Sequence, residues 1–161
     1  MSEAKNVAGA VAGKYLTFAL AQEEYGLLVI KVREIIKIMD ITSVPKMPAH
    51  VRGVINLRGK VIPVVDLRTK FDLPKAEFTD QTCIIVVEVE MEGRKVMLGA
   101  IVDCVLEVLN IAAEEIDPRP DFGERLDTGY MLGVAKVRGR VEILLDLDRV
   151  LADGALITKA A

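Results

Sequence analysis

The chain has no tryptophan, one histidine, two cysteines and few aromatic residues, 4% of its 161 positions. A lone histidine, His50, nearly excludes a histidine-based zinc or iron site and removes the usual general base for a serine or cysteine nucleophile. It follows Pro48 at a turn, where an exposed loop histidine is the simpler reading. Cys83 and Cys104 stand in apolar runs, as reduced core residues rather than a disulfide framework. No Walker or dinucleotide glycine pattern occurs, so the sequence offers no active site. A net charge of −3 and the lack of stacking aromatics argue against nucleic acid as a partner. No run reaches the length of a membrane span, and the patch Val7 to Val11 is too short for a signal segment. The expectation is a soluble, cytoplasmic protein without catalytic activity or cofactor.

Apolar residues make up 52% of the sequence, and with aromatics scarce the core must come from Val, Ile and Leu, a composition that favours strands. The densest organisation lies in GVINLRGKVIPVVDLRTKF, Gly53 to Phe71. Gly59 marks a tight turn, and the β-branched run Val61 to Leu67 reads as a buried strand, which puts Arg58 at a hairpin tip. The stretch recurs at an offset of 80 as GVAKVRGRVEILLDLDRVL, Gly133 to Leu151. Upstream, Gly26, Val32 and Glu34 correspond to Gly99, Val105 and Glu107 at an offset of 73, so the second copy carries about seven extra residues. This is an internal duplication of a small β unit.

Each copy supplies about five short strands divided by glycine turns, which suits two small barrels packed on a shared apolar core. Residues 1–14 are expected to be a mobile tail, 15–151 a single domain and 152–161 a loose end. Within the domain the first barrel is placed at roughly 24–80 and the second at roughly 81–145. Val29 to Met39 fits both a bent strand and a helical stripe. Short helical turns follow each hairpin, the second capped by Asp146. Leu57, Val61, Val64 and Leu67 are expected in the first core, with Val137, Val141, Leu144 and Leu147 in the same places of the second. Pro63, which cannot donate to a ladder, implies an edge or bulge where its counterpart Ile143 pairs normally.

The segments EEYGLLVIKVREI, VPKMPAHVRGVINLRGKVIPVVDLR, GAIVDCVLEVL and GVAKVRGRVEILLDLDRVL, in that order, resemble the CheW family of bacterial chemotaxis coupling proteins. The resemblance implies two SH3-like barrels in which the first strand joins the second barrel and the chain's end returns to the first. It implies a non-catalytic adaptor between the cytoplasmic tip of chemoreceptors and the regulatory domain of the histidine kinase CheA. By motif, receptor contacts fall on Gly53, Asn56, Arg58 and Gly59, with Val102 and Val105 on the matching strand of the second barrel. Kinase contacts fall on Val29, Val32 and Glu34, with Glu107 as the second copy's counterpart. Other readings stay open: Gly53 as a purely conformational residue, Asn56 as a brace for the turn, and Val29 and Val32 as ordinary core. Two further functions remain, an array with an output other than swimming and a module for proline-rich peptides. The latter needs an aromatic groove, whereas Phe18, Phe71, Phe78, Phe122, Tyr15, Tyr25 and Tyr130 are scattered along the sequence.

Overall fold

A computed structural model describes residues 12–118 and 130–151. Most of the expected tail, Phe122 and the 152–161 end lie outside the described residues, although Gly13 and Lys14 already belong to the first strand. The strands are β1 (Gly13–Leu20), β2 (Glu23–Leu28), β3 (Val32–Lys37), β4 (Val51–Leu57), β5 (Lys60–Asp66) and β6 (Cys83–Met91). They continue with β7 (Arg94–Val102), β8 (Cys104–Ile111), β9 (Ile116–Asp117), β10 (Met131–Val137) and β11 (Arg140–Leu145). Two one-turn helices, α1 (Leu67–Lys70) and α2 (Leu147–Val150), follow the hairpins. Asp66 and Asp146 cap them by accepting backbone N–H bonds from Arg68 and Arg149. Between β2 and β3, Val29–Lys31 forms a 3₁₀ turn, so the stretch that fitted both periods is helical at its start and extended after it. No helix among the described residues is long and apolar enough to cross a membrane.

The strands form two sheets, ordered β8-β1-β2-β11-β10-β9 and β3-β6-β7-β5-β4. Under the duplication β8 corresponds to β3, β1 to β6, β2 to β7, β11 to β5 and β10 to β4. The two orders are therefore the same, with β9 added to one. The register irregularities repeat as well, between Val51 and Gly53 in β4 and between Met131 and Gly133 in β10.

The sheets do not respect a boundary near residue 80. Hairpin β1–β2 pairs with β8 and β11, while hairpin β6–β7 pairs with β3 and β5. One unit is thus continuous from β3 to β7, and the other joins β1–β2 to β8–β11. The expected spans 24–80 and 81–145 are corrected accordingly. A repeat shows which segments are alike, not which copy of an equivalent strand each one pairs with.

Three apolar layers hold the units together. Ile55, Ile62, Val64, Ile84, Val86 and Ile101 fill the first unit, and Tyr15, Leu109, Ile111, Leu132, Val137 and Leu144 are among those that fill the second. The largest layer lies between them, with Leu16, Phe18 and Leu20 from β1 meeting Ile85, Val87 and Val89 from β6. Strands β1 and β6 are therefore buried on both faces, which is why their apolar runs alternate so weakly. Two expected core positions are corrected: Val61 and Val141 are 67% and 53% exposed, because they point away from Ile62 and Glu142 on the outer face. Leu57 is only partly buried, and the other five expected core residues are buried. Pro63 is not on an edge either, since β5 lies between β7 and β4. Its effect is local: the parallel ladder to β7 starts at Val64, whereas Ile143 pairs with Tyr25.

Candidate interaction surface

Leu57 and Lys60 close a two-residue turn in which Arg58 and Gly59 have φ of 52° and 88°. Both positive values are what a type I′ hairpin demands, and they match the right-handed twist of the strands. Glycine adopts them freely, but arginine at the first central position is strained by about 1 kcal/mol. Asparagine or aspartate would serve the turn better, yet Arg138 repeats the choice in the second copy with φ of 55°. The turn is braced by Asn56, whose Oδ1 accepts the Gly59 N–H at 2.8 Å. Asn56 therefore acts on the turn, as one of its readings held.

The Arg58 side chain, 70% exposed, forms an ion pair with Glu34 on β3. The Arg58 hydrogen bond is the main reason the Glu34 carboxyl is held below its ordinary range. Strands β3 and β4 are the two ends of their sheet, so this pair joins the sheet's ends. The second copy repeats it: Glu107 on β8 lies 3.7 Å from Arg138 and 3.0 Å from Arg140. Two residues assigned by resemblance to different partners, Arg58 and Glu34, thus stand in one contact. An exposed pair of this kind orients side chains more than it stabilises the fold.

The remaining sequence-predicted residues are less accessible. A Cβ on Gly53, at φ of 145°, would sit 2.0 Å from the Thr42 carbonyl oxygen. The Thr42 and Val54 backbones exchange two 2.9 Å hydrogen bonds there, so Gly53 is required by close chain approach. Val102 is only 1% exposed within the layer between the units, which corrects its assignment as a receptor contact. Val105, Val29 and Val32 are partly buried against the same layer. Sequence reasoning missed the outward apolar residues Ile35 and Val61 in the first unit and Val108 and Val141 in the second. The signal was present: the offsets of 73 and 80 pair Ile35 with Val108 and Val61 with Val141, and both copies keep both positions apolar.

At the seam between units, aromatics scattered in sequence come together. Phe18, Tyr25, Phe71 and Tyr130 form a row with successive ring centroids 5.8, 6.0 and 5.6 Å apart. Tyr25, Phe71 and Tyr130 line a groove of about 500 Å³. Residues scattered in sequence are thus gathered by the fold, although Phe18 and Tyr25 are themselves buried. Near the seam Arg68 grips Asp103 with Nε and Nη2 at 2.8 and 2.7 Å, while Asp103 also accepts the Ala21 N–H at 2.8 Å. Burial pushes the Asp103 carboxyl up, but Arg68 and the Ala21 amide outweigh it and leave it below its ordinary value. One carboxylate therefore ties α1 of the first unit to the β1–β2 turn of the second.

Comparison with known proteins agrees with this architecture. Residues 14–155 match the family model of the CheW-like domain. The chain is 35% identical over 153 residues to the chemotaxis protein CheW of Klebsiella aerogenes, covering 94% of this chain and 90% of that protein. It is 35% identical over 139 residues to the chemotaxis protein CheW of Bacillus subtilis, covering 86% of each. The crystal structure of the scaffolding protein TtCheW from Thermoanaerobacter tengcongensis superposes with a TM-score of 0.76 at 36% identity, covering 89% of this chain and 96% of that one. With the duplicated sheets, the paired Arg-Gly hairpins and these likenesses in agreement, the chain belongs to the CheW family of chemotaxis scaffold and adaptor proteins.

Proposed function

We propose that this chain couples chemoreceptors to the histidine kinase CheA in the cytoplasm, at receptor arrays, and does so by binding alone. The observation that carries the reading is Arg58, an exposed guanidinium held at a hairpin tip in a conformation its residue type disfavours. A guanidinium fork suits a carboxylate on a receptor helix, and Arg58 is already engaged by one, Glu34. A receptor carboxylate that takes Arg58 releases Glu34, the β3 acid proposed for the kinase contact. The two sites are then linked by exchange of one ion pair, and such a link transmits a signal when its free energy differs between receptor states. Val29 and Val32, partly buried against the layer between the units, lead into that contact along the chain, and Glu107 is the equivalent group for a second kinase contact.

The test is receptor and kinase binding by purified variants. Arg58→Glu reverses a charge pair and is expected to weaken receptor binding at least about tenfold while kinase binding survives. Glu34→Gln leaves Arg58 uncommitted, so receptor binding should hold or rise while kinase binding weakens. Normal receptor binding by Arg58→Glu would reduce the hairpin to a turn and overturn the proposal.

A further inference from the structure

Glu142 lies on the inner face of β11 at 0% exposure, and neither of its carboxyl oxygens has a hydrogen-bond partner. Its rung partner in the parallel β2–β11 ladder is Glu24, whose Oε1 is also buried without a partner. Two ionised carboxylates side by side repel each other, and the buried Glu142 has lost its hydration as well. The cation within reach, Arg140 on β11, does not resolve this. Its guanidinium lies 3.0 Å from Glu107 of β8, 3.5 Å from Glu24 and 3.9 Å from Glu142, divided among three acids of which Arg138 reaches only Glu107, at 3.7 Å. From β10 the facing residue is Ala135, and from β1 the nearby hydroxyl of Thr17 is engaged with the Glu107 backbone at 2.7 and 3.1 Å. A proton on Glu142 makes it a donor and Glu24 the acceptor, which satisfies two of the three orphaned oxygens.

The first unit shows that the fold does not require acids here. Offsets of 80 and 73 place Ile62 and Met97 at the positions of Glu142 and Glu24, and Ile62 packs in an apolar core. The β2–β11 ladder has three rungs, Glu142 with Glu24, Ile143 with Tyr25 and Leu144 with Gly26. It is the described strand pairing that joins the β1–β2 hairpin to the β10–β11 hairpin.

We propose that Glu142 keeps its proton in the folded protein and donates it to Glu24, and that its loss in mildly alkaline solution loosens the β2–β11 seam while leaving the first unit unchanged. Burial, followed by the neighbouring Glu24 carboxyl, pushes Glu142 up to about 8, and Arg140 pulls the other way. For an acid whose folded value is raised, the folded state binds the extra proton between the ordinary value, about 4.5, and about 8. Stability therefore falls with rising pH across that window and levels off above it.

Amide hydrogen exchange on the full chain at about pH 6.5 and about pH 9, corrected for intrinsic base catalysis, tests the proposal. Protection at residues 24–26 and 142–144 should drop at least about tenfold more than at the equivalent ladder of the first unit, 64–66 with 99–101. Glu142→Gln fixes the neutral form and should abolish that difference, and Glu142→Ile, which installs the first unit's residue, serves if the amide fails to fold. The infrared C=O band of a protonated carboxylic acid should be present at the lower pH, lost at the higher and missing from Glu142→Gln. Equal pH dependence of the two ladders, or no acid band at the lower pH, overturns the proposal.

Discussion

Arg58 occupies a turn position that favours asparagine or aspartate, so local propensity and the residue present disagree there. Such disagreements mark places kept for a use other than folding. Arg58→Asn should raise the melting temperature by relieving the turn and should still weaken receptor binding; an undiminished affinity would show that arginine is not kept for recognition. Gly53→Ala should destabilise by roughly 2–4 kcal/mol in urea unfolding, since a methyl group would meet the Thr42 carbonyl at 2.0 Å. Normal stability of that variant would remove the close-approach argument. Both readings of Gly53 and Asn56 could be written down from sequence, because glycine and asparagine have few reasons to sit at a hairpin. Val61, Val102 and Val141 could not be placed that way. An apolar residue in a strand of a two-sided core reads the same whether it faces its own unit, the seam or solvent.

Among elements, the one-turn helices and the residues beside them set how the units meet. The Arg68–Asp103 pair links α1 to the segment between β7 and β8 and, through Ala21, to the β1–β2 turn. Asp103→Asn should cost about 1–3 kcal/mol, measured as a shift in urea midpoint near neutral pH. The sign with pH follows from the lowered Asp103 value. Its contribution is present above the ordinary aspartate range and lost as pH falls through the lower folded value, so wild type and variant should converge in acid. A gap that persists in acid would mean the clamp acts through packing instead. The hairpins, their caps and their repetition were legible because glycine turns and aspartate caps are local signals. The clamp was not, since Arg68 and Asp103 lie 35 positions apart and ordinary surface charges look the same.

For the whole molecule, the layer between the sheets makes one folding unit of two repeats. Neither sheet keeps its buried faces dry without the other, so tyrosine fluorescence and far-ultraviolet circular dichroism should follow one coincident unfolding transition. Two resolved transitions would show that the units are independent. As an adaptor, the chain should bind each partner alone in the micromolar range, with tight assembly only when receptor, kinase and adaptor are mixed. Nanomolar binding to receptor alone would contradict that division. The duplication itself was legible as a fixed offset. The pairing of β1–β2 with the second copy's hairpin was not, because equivalent strands offer the same pattern to either partner.

That crossed pairing sets an order of events during synthesis. The strands from β3 to β7 are contiguous and can pair once Val102 has left the ribosome. The β1–β2 hairpin emerges first yet waits for β8, β10 and β11, a delay of roughly ten seconds at ordinary translation rates. Until β6 and β7 emerge, Leu16, Phe18 and Leu20 lack most of the neighbours that later cover them. The β1–β2 hairpin thus precedes its strand partners, and the paired strands β3 to β7 offer the first apolar face on which it can rest.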